Sequence, residues 1–226
     1  MATAIGIVGG GILTILVAIW VEWLRRPRLN VLVEPPIDMV MNPGDLRART
    51  LRVLVSNNAL PSLVFFMVRA PALQCRGKIT FHRYVDGHEI FSRAMAARWA
   101  GSLQPTAIPV VNPNGEVISF IHDPERVGLG SRIDIYPGET EPLDVVARIE
   151  GDMHCYGWNN ESYFVQPFGR NENWRLGSDR FLVKITIVSS GQKIERVFRL
   201  INDVPSDAFR LEIAEGDEIS RTTKRR

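Results

Sequence analysis

Residues Arg180–Ile201 read "RFLVKITIVSSGQKIERVFRLI", and this stretch decides the fold class. Phe181, Val183, Ile185 and Ile187 alternate with Leu182, Lys184, Thr186 and Val188. A period of two sends one set to each face of a strand. Ser189, Ser190, Gly191 and Gln192 interrupt the run, and Ile194, Val197 and Leu200 are the apolar candidates beyond them. Two such runs joined by a short glycine-containing turn predict a β-hairpin.

The pattern recurs outward from this hairpin. "RLNVLVE" reads as a first strand, and "LRARTLRVLVSNN" sets Leu51, Val53 and Val55 against Arg52, Leu54 and Ser56 before stopping at Asn57 and Asn58. "LQCRGKITFHR" places Leu73, Cys75, Ile79 and Phe81 inward, with Gly77 as a candidate bulge. "GEVISFIHD", "SRIDIYPGE", "EPLDVVARIEG", "YFVQPF" and "AFRLEI" add further short strands, and "EIFSRAMAARWA" fits a strand or a short helix. The proline-rich Glu34–Gly44 reads as a spacer or an irregular edge. Many short strands with turn signals between them, and no long amphipathic helix, predict a mainly β domain, an antiparallel immunoglobulin-like β-sandwich. The order Cys75, Trp99, Cys155 matches the Cys…Trp…Cys order of that architecture.

At the other end of the chain, "AIGIVGGGIL" (Ala4–Leu13) has the glycines of a dinucleotide-binding turn but not its context. Such a turn follows a strand and precedes, by roughly 20 residues, an acidic residue on a second strand. Only Met1 to Ala4 lie before these glycines, and Glu22 comes too early. Instead, Ala2 to Val21 is free of charge, and a helix of about 20 such residues covers about 30 Å, the hydrocarbon thickness of a bilayer. Trp20 and Trp23, then Arg25, Arg26 and Arg28, form the girdle expected at a membrane interface. Bulky residues at Ile19–Trp23 and no side-chain charge before the run predict a retained anchor rather than a cleaved signal. Ala2, Gly6, Gly10, Thr14 and Ala18 recur every fourth residue, a small-residue face suited to another transmembrane helix, of the same or another protein.

The expected organisation is a transmembrane helix (1–24), a basic juxtamembrane segment with the first strand and spacer (25–46), the sandwich (47–213) and a mobile polar tail (214–226). Basic residues follow the helix and none precede it, so the amino terminus is expected outside and the sandwich in the cytoplasm. There, Cys75 and Cys155 are expected as reduced thiols in the core.

A formal net charge of +2 over 226 residues gives no general pull on nucleic acid. Two cysteines exclude a four-cysteine zinc site. His82, His88 and Asp86 surround a turn, where side chains usually face water, and His154 and Cys155 point to opposite faces of a regular strand. A single helix plus sandwich is also the layout of the copper-bearing subunit of haem–copper oxidases, but that subunit's close cluster of two cysteines, two histidines and a methionine is missing here. No G-x-S-x-G elbow occurs. No catalytic residue, cofactor or metal is therefore expected. The run Leu63–Val68, "LVFFMV", reads either as a buried central strand or as a loop that presents Leu63, Phe65, Phe66 and Met67 to lipid or a protein partner. The expected role is a non-catalytic binding or assembly module of a membrane complex. The alternatives are an accessory subunit of a redox or hydrolytic membrane enzyme and an exported carbohydrate-binding domain, the latter with Asn160-Glu161-Ser162 as a glycosylation acceptor.

Overall fold

The computed structural model describes the backbone of residues 2–41, 46–62, 67–102, 107–122, 131–165, 167 and 169–223; side chains are described for these except at 2–10, 41, 46, 107–109, 117, 119–122 and 223. A helix α1 (Ala2–Arg25) leads into β1 (Leu29–Val33), β2 (Ile37–Met41), β3 (Leu46–Asn57) and β4 (Ala72–Arg83). Two short strands, β5 (Met95–Ala96) and β6 (Arg98–Trp99), precede a hairpin of β7 (Ala107–Val111) and β8 (Val117–His122). Then come β9 (Ile133–Ile135), β10 (Thr140–Ile149), β11 (Cys155–Gly157) and β12 (Arg175–Leu176). The chain ends with β13 (Arg180–Ser189), β14 (Gln192–Ile201), β15 (Arg210–Ile213) and a short helix α2 (Gly216–Thr223).

The fold is mainly β. One sheet has the order β1-β3-β10-β11-β12, with β2 also on β3 and β6 on β10; the other has the order β15-β14-β13-β4-β5, with β9 on β4. The described pairings are antiparallel. The two sheets share one core, to which Leu51, Val53, Val55, Leu143 and Trp99 come from the first and Ile79, Phe81, Val183, Ile185 and Phe198 from the second. This is the arrangement of a β-sandwich, held by the inward halves of the alternating strands.

The alternation assigned β3 and β13 correctly, and the hairpin closes with Ser189 opposite Gln192. On β14 the register sorts the apolar residues between the two faces. Leu200, Phe198 and Ile194 stand opposite Phe181, Val183 and Ile187 on the core side. Val197 points outward and is buried there with Leu182 and Ala214. The spacing 194, 197, 200 does not follow a period of two, so those residues could not share one face.

On β4, Leu73 is exposed rather than inward, because the ladder slips between Ala72 and Cys75 and Gln74 adopts a φ of 54°. Gly77 is no bulge; it pairs regularly with Ile187. Its missing side chain instead admits close packing, since a Cβ there would lie 2.7 Å from the Ala97 Cβ. "EIFSRAMAARWA" contributes the two short strands β5 and β6, and Glu34–Gly44 contributes the edge strand β2. In "YFVQPF", Tyr163 closes a 3-10 turn, and residues 164, 165 and 167 form no strand. Residues 63–66 of "LVFFMV" lie outside the described residues. Met67 and Val68 are not in a strand and Val68 is 71% exposed, so the buried-strand reading fails at that end.

The tail also departs from expectation. Residues 216–223 form α2, which lies against β13 at one end of the second sheet's outer face, with the Arg221 guanidinium over the Tyr84 ring at 5.5 Å. Glu218 is 3% exposed; it accepts from Arg199 Nη1 (3.0 Å) and from the Glu215 amide (2.7 Å). Arg199 also donates to Glu212 (2.6 Å), and Arg221 donates to the Tyr84 carbonyl (3.0 Å). These contacts join residues far apart in sequence, which is why a polar segment without an apolar stripe is nonetheless ordered.

Burial of Glu218 opposes its ionisation, but the Glu215 amide and Arg199 outweigh it and hold the carboxyl below its usual range. Hydrogen bonds from Arg199 and Arg210 lower Glu212 in the same direction. A carboxyl lowered on folding stabilises the docked helix above its unfolded value of about 4.3 and stops doing so as the pH falls through the folded value. Amide-exchange protection of 216–223 is therefore expected to fall, as the solution is acidified below a pH of about 4, before that of the β13–β14 hairpin. Simultaneous loss in both elements would show that α2 has no such separate dependence.

Candidate functional site

The chain's least ordinary feature is the joint between α1 and the sandwich. The described part of α1 exposes Ile12, Leu13, Ile15, Leu16, Val17, Ile19, Trp20 and Trp23, each at least half accessible. Among the described residues α1 packs extensively against no other element. Among the described residues no helix is long and apolar enough to cross a membrane; the described side chains of α1 begin only at Gly11.

The helix end is nevertheless fastened. Pro27 is buried, and with no N–H it ends the helical ladder. The Arg25 carbonyl accepts from the Ala70 amide (2.6 Å), and the Arg26 carbonyl accepts from Arg69 Nη1 (2.7 Å). A cation at a helix C-terminus complements both its free carbonyls and its dipole. Asn57, fully buried, is the hub behind this joint. Its Oδ1 accepts from the Arg28 amide (3.0 Å), and its Nδ2 donates to the carbonyls of Ala70 and Ile135 (3.1 Å each). The Asn58 amide returns a bond to the Arg28 carbonyl (3.0 Å). One amide side chain thus ties the start of β1, the end of β3, the segment before β4 and the end of β9.

Arg69 is 4% exposed and sits close to Arg28; burial, then that like charge, lowers its pKa. It lines a cleft of about 340 Å³ with Leu60, Pro61, Met67, Val68 and Pro137. The helix-proximal end of the sandwich is therefore both basic and apolar.

The interface residues expected from the sequence converge here: Trp20, Trp23, Arg25, Arg26 and Arg28 are exposed, and the Arg28 guanidinium lies over the Trp23 ring at 4.9 Å. Of the small-residue face, Ala2, Gly6 and Gly10 lie outside the described side chains, and Ala18 is exposed. Leu63, Phe65 and Phe66 lie outside the described residues, while Met67 lines the cleft. Sequence reasoning missed Asn57 and Arg69. Asn57 had been read as a strand stop, and nothing local marks a buried arginine that serves a helix end 43 residues away.

Among the described residues the titratable groups elsewhere are paired or buried singly. Both nitrogens of His82 are engaged, Nε2 with Thr80 Oγ1 (2.9 Å) and Nδ1 with the Gly87 carbonyl (3.0 Å). Asp86 accepts from the His88 amide and pairs with Arg83. Among the described residues no three His, Cys, Asp or Glu side chains gather as metal ligands would. Cys75 and Cys155 are free, buried thiols, one from each sheet. Burial raises Cys75 to about 11 and pushes Cys155 still further up, so neither ionises readily as a nucleophile would. A cleft of about 460 Å³ beside β2 holds Asp38 and Arg49, but these are paired with each other at 2.7 Å. Compared with known families, with curated proteins and with solved structures, the chain matches none closely enough to show a relationship.

Proposed function

We propose that the chain is a single-pass, membrane-anchored protein whose β-sandwich, of immunoglobulin-like type, is a non-catalytic binding or assembly module within a membrane complex. The observation that carries the reading is α1: apolar and exposed from Ile12 to Trp20, and fastened to the sandwich, among the described residues, at its C-terminal end. A helix apolar all round is disfavoured in water by roughly 25 cal/mol for each Å² it exposes, and bilayer or protein must cover it. The tryptophans and arginines at its end suit the interface, and Ala2, Gly6, Gly10, Thr14 and Ala18 suit a partner helix. Positive charge after the helix favours a cytoplasmic sandwich. Ser162 of the glycosylation tripeptide is buried, and its hydroxyl donates to the Gly157 carbonyl (3.2 Å), which argues against the exported reading. The immunoglobulin-like assignment rests on Cys75 and Cys155 in opposite sheets, with Trp99 Nε1 donating to the Cys75 carbonyl between them (3.2 Å).

Val85→Cys provides the test, because Val85 is 85% exposed and both native thiols are buried. The variant chain should stay in membranes through alkaline carbonate washing. It should take up an impermeant thiol reagent only after the cells are opened. Release by carbonate would overturn the anchor, and labelling of intact cells would overturn the orientation.

A further inference from the structure

The outer face of the second sheet, beyond the part that α2 covers, holds an open trough of about 810 Å³. Its floor is β4, β13 and β14, and the turn at Gly87–His88 and Thr222 of α2 close one end. The ladder arranges the floor in ranks. Lys78, Thr186 and Glu195 stand side by side; in the next rank are Thr80 and Lys184, and on the other side Arg76, Val188 and Lys193. Residues paired directly across strands point to the same face, strands lie about 4.8 Å apart, and alternate residues about 7 Å apart. Lys78, Lys184 and Lys193 therefore ring Thr186 within reach of one ligand, with Arg76 one rank further along the same face.

Against these cations the trough sets two carboxylates, Glu89 and Glu195, the latter also accepting from Thr186 Oγ1 (3.5 Å). Glu195 bridges Lys184 (3.0 Å) and Lys193 (2.6 Å), whereas Arg76 and Lys78 have no carboxylate partner among the described residues. Like charges crowded on neighbouring strands repel, so the bare face is held against an electrostatic cost that an anion would relieve. The rings in the trough are the imidazoles of His82 and His88, and among the described residues no Phe, Tyr or Trp lines it as a platform for a base or sugar ring. Lysine ammonium groups and threonine hydroxyls are donors that suit phosphoryl oxygens. The volume exceeds what one phosphate fills.

We propose that this trough binds a compound carrying two or more phosphoryl groups, free in solution or as the headgroup of a lipid. The site lies on the sandwich and the end of α2, and stands whether or not α1 spans a membrane.

The test uses the full chain in zwitterionic detergent. It is titrated with inorganic pyrophosphate and, separately, mixed with phosphatidylcholine vesicles with and without phosphatidylinositol bisphosphate. Binding is expected in at least one arm and should weaken as salt is raised. Pyrophosphate binding without preference for the doped vesicles would identify a soluble ligand, and that preference would identify a headgroup. Lys78→Gln/Lys184→Gln/Lys193→Gln should weaken binding at least about tenfold. Arg93→Gln/Arg175→Gln/Arg180→Gln, which removes the same charge from other exposed sites, should not. Lys78→Gln alone breaks no ion pair and should still weaken binding measurably. No binding in either arm, or equal loss in both triple variants, would overturn the proposal.

Discussion

Asp144→Ala is expected to destabilise the sandwich by about 3–5 kcal/mol, the usual consequence of removing one partner from a buried ion pair. Asp144 lies on β10, where its Oδ1 accepts from Arg52 Nε (2.7 Å) and its Oδ2 from Arg98 Nη1 (2.8 Å). The Arg98 side chain is 2% exposed; it also donates to the Ser102 carbonyl (2.7 Å) and lies over the Tyr163 ring at 5.1 Å. Without the carboxylate, one guanidinium is left buried and uncompensated, with a second beside it at 18% exposure. The midpoint of urea unfolding should fall at nearly unchanged slope, because the folded surface is the same. Arg98→Met with Asp144→Leu should recover much of the loss, since apolar groups of similar volume need no counterion. An unchanged midpoint for Asp144→Ala would mean that solvent reaches Arg98 and that the pair is not buried in solution.

The second large effect is expected at Trp99. The indole is fully buried between the sheets, on the short strand β6 against β10. Truncation to Ala removes the largest class of core side chain and should cost about 3–5 kcal/mol. At about 2–4 °C per kcal/mol for a domain of this size, the melting temperature should drop by roughly 6–20 °C. Trp99→Phe keeps a ring but loses the donor to the Cys75 carbonyl, and a buried acceptor left without its partner costs about 1–3 kcal/mol. Phe should therefore fall between wild type and Ala in a thermal melt. A Phe variant as unstable as Ala would place the hydrogen bond, rather than packing, in control.

These two positions differ in how far the sequence betrays them. Trp99 sits in "ARWA" and was paired in order with Cys75 and Cys155, and all three are in the core. Nothing in the same four residues indicates that Arg98 is buried, because its partner lies 46 positions away on another strand. The joint at Asn57 and Arg69 is likewise built from residues 13 to 78 positions apart. Polar residues in such places read locally as turns and surfaces.

The sequence by itself determined the strands whose apolar residues recur every second position: β3, β4 beyond its slip, and the β13–β14 hairpin. It also determined the charge-free run Ala2–Val21, which lies within α1. Burial on one face imposes that periodicity residue by residue, so it can be read within a single strand. Only the tertiary structure decided that Phe198 rather than Val197 enters the core, that the tail docks as α2, and that Arg98 pairs with Asp144. It alone placed Lys78, Lys184 and Lys193 around one threonine. Each of these depends on the register between strands, which is set by side chains packing and pairing across long loops, and such contacts leave no trace in the order of neighbouring residues.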